Sequence, residues 1–152
     1  MAAREAQTER GRRFAALHAR PGAFIIPNPW DAGTARILET MGFEALTTTS
    51  AGLAYSLGKR DGTGAVTRDE TIANAKAIAD ATTLPVAADL ENGFGDSPEA
   101  AAETIRLAGE VAGLVGGSIE DSSGNPQRPI YDFAHAVERI AANLAHRGIG
   151  HG

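Results

Sequence analysis

The sequence predicts an α/β fold in which parallel strands alternate with helices. Two observations carry this prediction: short apolar segments alternate with longer helical segments, and most of the apolar segments end in polar residues. Short apolar strands separated by helices are typical of a parallel sheet covered by helices. We count four strand–helix units in the 152 residues, and we expect a single domain over residues 1–152.

Residues that favour helix starts mark several of the predicted helices. Thr67 is followed three residues later by Glu70, which is the spacing of a capping box. Ser97 and Pro98 combine a hydroxyl cap with proline at the first helical position. The predicted helices cover about residues 3–19, 32–41, 68–81, 98–112 and 131–144.

Four apolar or β-branched segments are predicted as strands. Active sites of parallel α/β folds lie at the C-terminal ends of their strands. The residues that follow each strand are therefore the candidates for chemistry. The predicted strands cover residues 24–28, 45–50, 85–91 and 114–120, with long loops at 51–66 and 121–130.

Composition excludes several classes of function. The formal net charge of −5 argues against nucleic acid as a partner, and the arginines of the first helix are interleaved with glutamates. Without cysteine there are no disulfides, thiol nucleophiles or sulfur-bound zinc. No segment approaches the roughly 18 apolar residues of a membrane span, and the first residues do not resemble a secretory signal. We therefore expect a cytoplasmic protein with no membrane partner.

Three acids are predicted to meet at one edge of the sheet. Asp89 and Glu91 end the third strand on the same side, and Glu120 ends the fourth. Carboxylate oxygens suit magnesium or manganese better than zinc or copper. In the alternative interpretation, these acids cap the following helices or pair with arginines.

Two loops supply the remaining candidates. Ser50, Ala51 and Gly52 follow the second strand, where small residues let backbone amides approach an oxyanion, although an ordinary tight turn explains them equally well. Asp61 lies in the polar loop 55–62, which is either a binding loop or simply solvated. Glycine fingerprints for nucleotides are absent, which disfavours a nucleotide-binding domain.

Three stretches of the sequence resemble one enzyme superfamily. They are IIPNPWDAGTARILETMGFEALTTTSAGLAYSLGKRDG, VAADLENGFGD and GSIEDSSG, in that order. Together they are similar to the isocitrate lyase / phosphoenolpyruvate mutase superfamily, and in particular to its carboxyvinyl-carboxyphosphonate phosphorylmutase-like members. The resemblance implies the first half of a (β/α)8 TIM-type barrel. It also implies a lyase or phosphomutase-like enzyme that acts on C–C or P–C bonds of 2-oxo acid, enolpyruvate or phosphonate-type substrates.

The resemblance also implies a site that uses Mg²⁺, with Mn²⁺ as an alternative. Asp89 would approach the metal most directly, and Glu91 and Glu120 would hold metal-bound waters. Asp61 and Asp89 are the implied catalytic acids. The implied substrate-binding residues are Trp30, Ser50, Ala51 and Gly52.

Two departures from the family pattern limit this implication. The loop after the fourth strand contains no cysteine, which disfavours isocitrate and methylisocitrate lyase activity, and it reads Glu120-Asp121-Ser122 where the mutases usually have Glu-Asp-Lys. An eight-fold barrel also needs about 250 residues. An inactive half-barrel fragment or assembly module is therefore the alternative.

Four strands would leave open edges and an open apolar face, including Val86 and Ala88, so we expect a homo-oligomer.

Overall fold

The computed structural model describes residues 2–145, and within that range it contains a three-stranded parallel sheet and six helices. Strands and helices alternate over most of this range, which confirms the predicted α/β class. The elements are α1 (Ala2–Ala19), α2 (Ala32–Thr40), β1 (Leu46–Thr47), α3 (Ser50–Ser56), α4 (Arg68–Asp80), β2 (Val86–Asp89), α5 (Pro98–Glu110), β3 (Gly116–Ser118) and α6 (Phe133–Ala145).

The sheet has the order β1-β2-β3, so β2 lies in the middle. Leu46 pairs with Val86 in one parallel ladder, and Ala88 pairs with Gly117 in the other. The C-terminal ends of all three strands therefore lie at the same edge. This is the edge at which we expected the functional residues.

The predicted strand over residues 24–28 is wrong, and residues 2–145 form three strands where four were expected. The segment still runs beside β1, because the Thr47 amide donates to the carbonyl oxygen of Pro27 at 3.2 Å. Pro27 and Pro29 have no N–H to donate in return. The ladder consequently cannot continue, and the segment has no strand assignment.

The predicted long loop after the second strand is also wrong in part, because it contains α3. Thr49 caps this helix: its hydroxyl accepts a hydrogen bond from the Gly52 amide at 3.2 Å. Because of this cap, only Thr48 and Thr49 separate the end of β1 from the start of α3. As a result, Ser50 and Gly52 occupy the first turn of α3 instead of an irregular loop.

The main core lies between the sheet and the helices that follow its strands. Val86 and Ala88 are almost fully buried there, in one cluster with Ile78 of α4 and Ala108 of α5. We expected Val86 and Ala88 on an open face, and this is wrong. Because side chains alternate along a strand, Ala87 and Asp89 lie on the opposite face from them.

Helix α1 lies across the N-terminal ends of β2 and β3. The side chain of Gln7 donates to the carbonyl oxygens of Gly109, near the end of α5, and of Leu114, just before β3. Arg13 donates to the carbonyl oxygen of Thr83, just before β2. These contacts place α1 at the end of the sheet opposite to Asp89.

Helix α6 leaves an apolar stripe on the surface. Its four members recur at helical spacing and are between 45% and 85% exposed: Phe133, Val137, Ile140 and Leu144. Such a stripe usually packs against another element. Among the described residues, no helix is both long and apolar enough to cross a membrane.

The capping box predicted at the start of α4 is confirmed, and it generates a pH prediction. Lys59 and the Thr67 amide donate to the Glu70 carboxylate and lower its pKa from 4.5 to about 2. A carboxyl with a lowered pKa stabilises the fold above its unfolded pKa, and this contribution is lost as the pH falls from about 4.5 to 2. We expect Glu70→Gln to be less stable than wild type at pH 7 and to show a shallower loss of stability in acid.

Urea unfolding at several pH values checks this, with Glu5→Gln, at an exposed position of α1, as the control. The control is expected to follow the wild-type profile. Equal acid dependence in wild type and Glu70→Gln would contradict the role of Glu70.

Candidate active site

Asp89 ends the central strand and is held by backbone amides on both of its carboxylate oxygens. The Ser50 amide donates to Oδ2 and the Glu91 amide donates to Oδ1, each at 3.1 Å. The Asp89 amide in turn donates to the hydroxyl oxygen of buried Thr48 at 3.2 Å. The carboxylate is thereby fixed at the C-terminal edge of the sheet, between the ends of β1 and β2.

Glu91 links this carboxylate to the segment after β3. Its own backbone is in the left-handed region, with φ of 48°, which is unusual for a residue with a side chain. Its carbonyl oxygen accepts a hydrogen bond from the Glu120 amide at 2.7 Å. The chain segments that carry Asp89, Glu91 and Glu120 are therefore joined by hydrogen bonds.

The charges of these acids repel each other. Burial raises the pKa of Glu91, and the charges of Asp89, Asp61 and Glu120 raise it further. Desolvation likewise raises the pKa of Glu120, with Asp89 and Asp61 as the next contributors. The charge of Asp61, from the loop before α4, thus contributes to both shifts. Like charges that raise each other's pKa values favour a nearby cation.

The donor set fits a hard divalent cation by its chemistry. It consists of carboxylate oxygens, and Mg²⁺ commonly uses one or two carboxylates together with several waters. Among residues 2–145, no group of three or more histidine, aspartate or glutamate side chains is arranged to hold a metal ion. The described geometry thus offers separate carboxylates around Asp89 and not a closed all-protein cage.

The first turn of α3 contributes fewer free amides than its sequence suggests. The Ser50 amide is bonded to Asp89 and the Gly52 amide to the Thr49 hydroxyl. Helix starts leave their first amides without partners inside the helix. The Ala51 amide and the Ser50 hydroxyl remain as donors that this turn offers to a ligand.

Trp30 lies next to this turn, with 47% of its surface exposed. A Cβ on Gly52 would lie 3.0 Å from the Cβ of Trp30 and 2.5 Å from the Thr49 methyl carbon. Position 52 therefore requires glycine, because any side chain would collide with Thr49 and Trp30. Asp31, directly after Trp30, caps α2 by accepting the Thr34 amide at 2.7 Å.

An open cleft of about 590 Å³ lies at Glu91, whereas Asp61, Asp89, Glu120 and Trp30 are not among its lining residues. One wall is formed by the segment after β2, which includes Glu91, Asn92 and Phe94. The other wall is formed by residues that lead into α4, including Val66 and Arg68. The cleft is large enough for a small organic acid with its waters.

Sequence reasoning missed three residues that support the site. Thr48 fixes the Asp89 amide, while Arg139 and Tyr131 hold the segment after β2. The three consecutive threonines 47–49 predicted only a strand, because β-branched residues favour strands, and nothing distinguished Thr48 from its neighbours. Arg139 stands within the amphipathic pattern of α6 and gave no signal, since arginine is normally exposed.

The Thr48 contact generates a stability prediction. In Thr48→Val the Asp89 amide loses its acceptor in a buried place, which is expected to cost about 1–3 kcal/mol. Thr48→Ser keeps the hydroxyl and serves as the matched control, with a smaller loss from its missing methyl group. Urea unfolding compares the two variants. Equal stability of the valine and serine variants would show that the hydroxyl contributes little.

Comparison with known proteins gives independent evidence on the family and the fold of the chain. The family model for phosphoenolpyruvate phosphomutase matches residues 14–149. The 2-methylisocitrate lyase of Escherichia coli K12 is 30% identical over 139 residues, which is 87% of this chain and 46% of that protein.

Two solved structures have the same fold over almost the whole chain. A candidate lyase/mutase from Burkholderia cenocepacia J2315 is 56% identical with a TM-score of 0.89, over 93% of this chain and 50% of that one. A 2,3-dimethylmalate lyase, itself described as a PEP mutase/isocitrate lyase superfamily member, is 32% identical with a TM-score of 0.78, over 94% and 49%.

These matches confirm the predicted fold class, a partial barrel of the TIM type built from parallel strands and helices. The chain spans about half the length of the relatives it matches. The match over residues 14–149, the identities of 30% and above and the shared fold lead to one conclusion. The chain belongs to the phosphoenolpyruvate phosphomutase family, within the isocitrate lyase / phosphoenolpyruvate mutase superfamily.

Proposed function

We propose that this chain supplies the metal-binding part of a Mg²⁺-dependent lyase or phosphomutase-like site, with Mn²⁺ as an alternative metal. The substrate class is a 2-oxo acid, enolpyruvate or phosphonate-type molecule in which a C–C or P–C bond is made or broken. The observation that carries the proposal is the Asp89 carboxylate, which backbone amides fix at the C-terminal edge of the sheet, with Glu91 bonded to it and Glu120 bonded in turn to Glu91. Membership in a family of lyases and phosphomutases supports it.

In this proposal the four acids have different roles. Asp89 binds the metal directly, because backbone amides already hold its carboxylate in place. Glu91 and Glu120 act through metal-bound waters. Asp61 is the acid of the neighbouring loop, and with Asp89 it forms the catalytic pair.

The substrate side of the proposed site lies at the start of α3. Ser50, Ala51 and Gly52 receive the carboxylate and oxyanion of the substrate, for which the Ala51 amide and the Ser50 hydroxyl are the available donors. Trp30 borders the same turn and supplies an apolar wall. When bound, the divalent metal would supply Lewis-acid polarisation of the substrate oxygens. The protein residues orient the substrate and exclude water around it.

A second candidate function is supported by the length of the chain. The relatives are about twice as long, so an inactive half-barrel or assembly module is the alternative.

Two further expectations stay predictions: that residues 1–152 form one domain and that the protein is cytoplasmic.

The metal proposal has a direct test. We expect Mg²⁺ or Mn²⁺ to bind weakly to the purified chain, and Asp89→Ala to abolish binding, because the directly bound carboxylate is removed. Isothermal titration calorimetry measures this. Asp80→Asn serves as the control, since Asp80 is paired with Lys76 at the end of α4.

In Asp80→Asn binding is expected to be unchanged, and EDTA is expected to reverse binding in the wild type. Unchanged affinity in Asp89→Ala would place the metal elsewhere.

Turnover separates the two candidate functions. We expect little or no turnover from the 152-residue chain alone, since loosely held or missing catalytic groups lose large rate factors. The assay follows metal-dependent consumption of oxaloacetate or a phosphonopyruvate-like compound, with a full-length relative in parallel. Saturable activity of this chain that Asp89→Ala destroys would overturn the expectation and favour the enzyme.

We also propose that the chain forms a homo-oligomer. In the described sheet β3 is an open outer strand, whereas the segment 24–28 already runs along β1, and α6 exposes an apolar stripe. Pairing of two copies would cover both features. Sedimentation at micromolar concentration is expected to show a dimer or larger species.

Ile140→Lys, within the stripe, is expected to shift the species towards monomer, whereas Val111→Lys, at an exposed valine after α5, serves as the control. A concentration-independent monomer that unfolds cooperatively would contradict self-association.

A further inference from the structure

Arg139 is the most deeply buried charged side chain among the described residues, with an exposure of 1%. It projects from α6, a helix whose other buried polar residue is Asn143. A buried guanidinium is costly unless its N–H groups find acceptors. The contacts that satisfy it therefore indicate why the position is occupied by arginine.

All the hydrogen bonds that the structure gives to Arg139 go to one segment after β2, residues 91–97. Its Nη2 donates to the carbonyl oxygen of Asn92, and its Nη1 donates to those of Gly95 at 2.7 Å, Asp96, and Ser97 at 3.4 Å. The planar fork of arginine reaches several acceptors at once, which a lysine ammonium on its flexible stem does not reproduce. Arg139 thus holds the backbone of the segment from the α6 side.

Tyr131 contacts both Arg139 and the same segment. Its ring centroid lies 4.5 Å from the guanidinium carbon of Arg139. Its hydroxyl donates to Asp96 Oδ1 at 2.6 Å and accepts from Asn92 Nδ2 at 3.2 Å. The two side chains together form what we term the Arg139–Tyr131 clasp.

The segment that the clasp holds has a strained backbone, although local hydrogen bonds such as that from the Gly93 amide to the Leu90 carbonyl oxygen also support it. Glu91 and Phe94 have φ of 48° and 59°, values that cost free energy for residues with side chains. Gly93 has φ of 77° and packs so closely that a Cβ there would lie 2.9 Å from the Cα of Ala101. Such a conformation persists only where surrounding contacts enforce it.

The position of this segment matters because it begins at the acids and lines the cleft. Glu91 binds Asp89 through its amide and Glu120 through its carbonyl oxygen. Glu91, Asn92, Phe94 and Gly95 form one wall of the cleft. Displacement of the segment would therefore move the Glu91 carboxylate and the cleft wall together.

We propose that the Arg139–Tyr131 clasp is a positioning element that fixes the strained segment 91–97 and thereby the Glu91 carboxylate at the candidate metal site. Neither side chain is placed among the metal or substrate ligands, so both act through the segment. The part of the inference that concerns the metal rests on the proposed function. The part that concerns the conformation of the segment stands without it.

The experiment compares Arg139→Lys and Tyr131→Phe with wild type. Arg106→Lys is the matched control, since it makes the same substitution at an arginine that pairs with Glu103 and Glu110 on the outside of α5. Hydrogen exchange with mass spectrometry reports peptides covering residues 90–97 and peptides of α4 and β2. Titration calorimetry reports Mn²⁺ affinity, and circular dichroism reports the overall fold.

We expect Arg139→Lys to remain folded, with roughly 10-fold faster exchange confined to residues 90–97. Mn²⁺ affinity should fall roughly 10-fold, as is usual when a residue that orients a metal ligand is replaced. Tyr131→Phe should show the same pattern to a smaller extent, because it keeps the ring and loses only the hydroxyl contacts. Arg106→Lys should match wild type in both readouts.

Three results would overturn the proposal. One is unchanged exchange over residues 90–97 in the folded variants. Another is equal acceleration across α4, β2 and the segment, which would make Arg139 a general stabilising residue. The third is loosening of the segment with unaltered Mn²⁺ affinity, which would remove its positioning role. If Arg139→Lys does not fold, Tyr131→Phe decides by the same criteria.

Failure of the proposed function gives a different result. In that case wild type itself does not bind Mn²⁺, while the exchange measurement still decides whether the clasp fixes the segment.

Discussion

The hydrogen bond from the Ser50 amide to the Asp89 carboxylate is the contact on which the arrangement of the site depends. It joins the first turn of α3 to the end of β2, and the second carboxylate oxygen takes the Glu91 amide. Since β2 is the middle strand, a carboxylate fixed at its end lies between the segments that follow β1 and β3. The Glu91 carbonyl oxygen extends the connection to Glu120. The segments that follow β1, β2 and β3 are thereby connected through the Asp89 carboxylate and Glu91.

The acids gathered around this point oppose each other. Burial and neighbouring carboxylates raise the pKa values of Glu91 and Glu120, so their charged forms are disfavoured without a counter-charge. The buried guanidinium of Arg139 makes its hydrogen bonds to backbone carbonyl oxygens and not to these carboxylates. Repelling acids next to a strained backbone at Glu91 and Phe94 are more typical of a functional site than of a stabilising network.

Prediction from sequence succeeded where neighbouring residues decide the structure. The capping box of α4 and the Ser97–Pro98 start of α5 are confirmed, because caps depend on residues within one helical turn. The first strand failed because its prolines cannot complete a ladder, which matters only once a partner strand is present. The acids at the strand ends lie at one edge of the sheet, and both their convergence into a site and their roles as ligands stay predictions.

The sequence by itself determined the alternation of strands and helices, the helix starts and the acids that end the strands. These properties follow from residue types and short spacings. Tertiary structure alone decided that Val86 and Ala88 face the helices, that the Ser50 amide binds Asp89, and that Arg139 holds the segment after β2. The last of these contacts joins residues 42 to 47 positions apart. Such contacts depend on how α6 packs against the preceding units, and an arginine in an amphipathic helix does not reveal that packing.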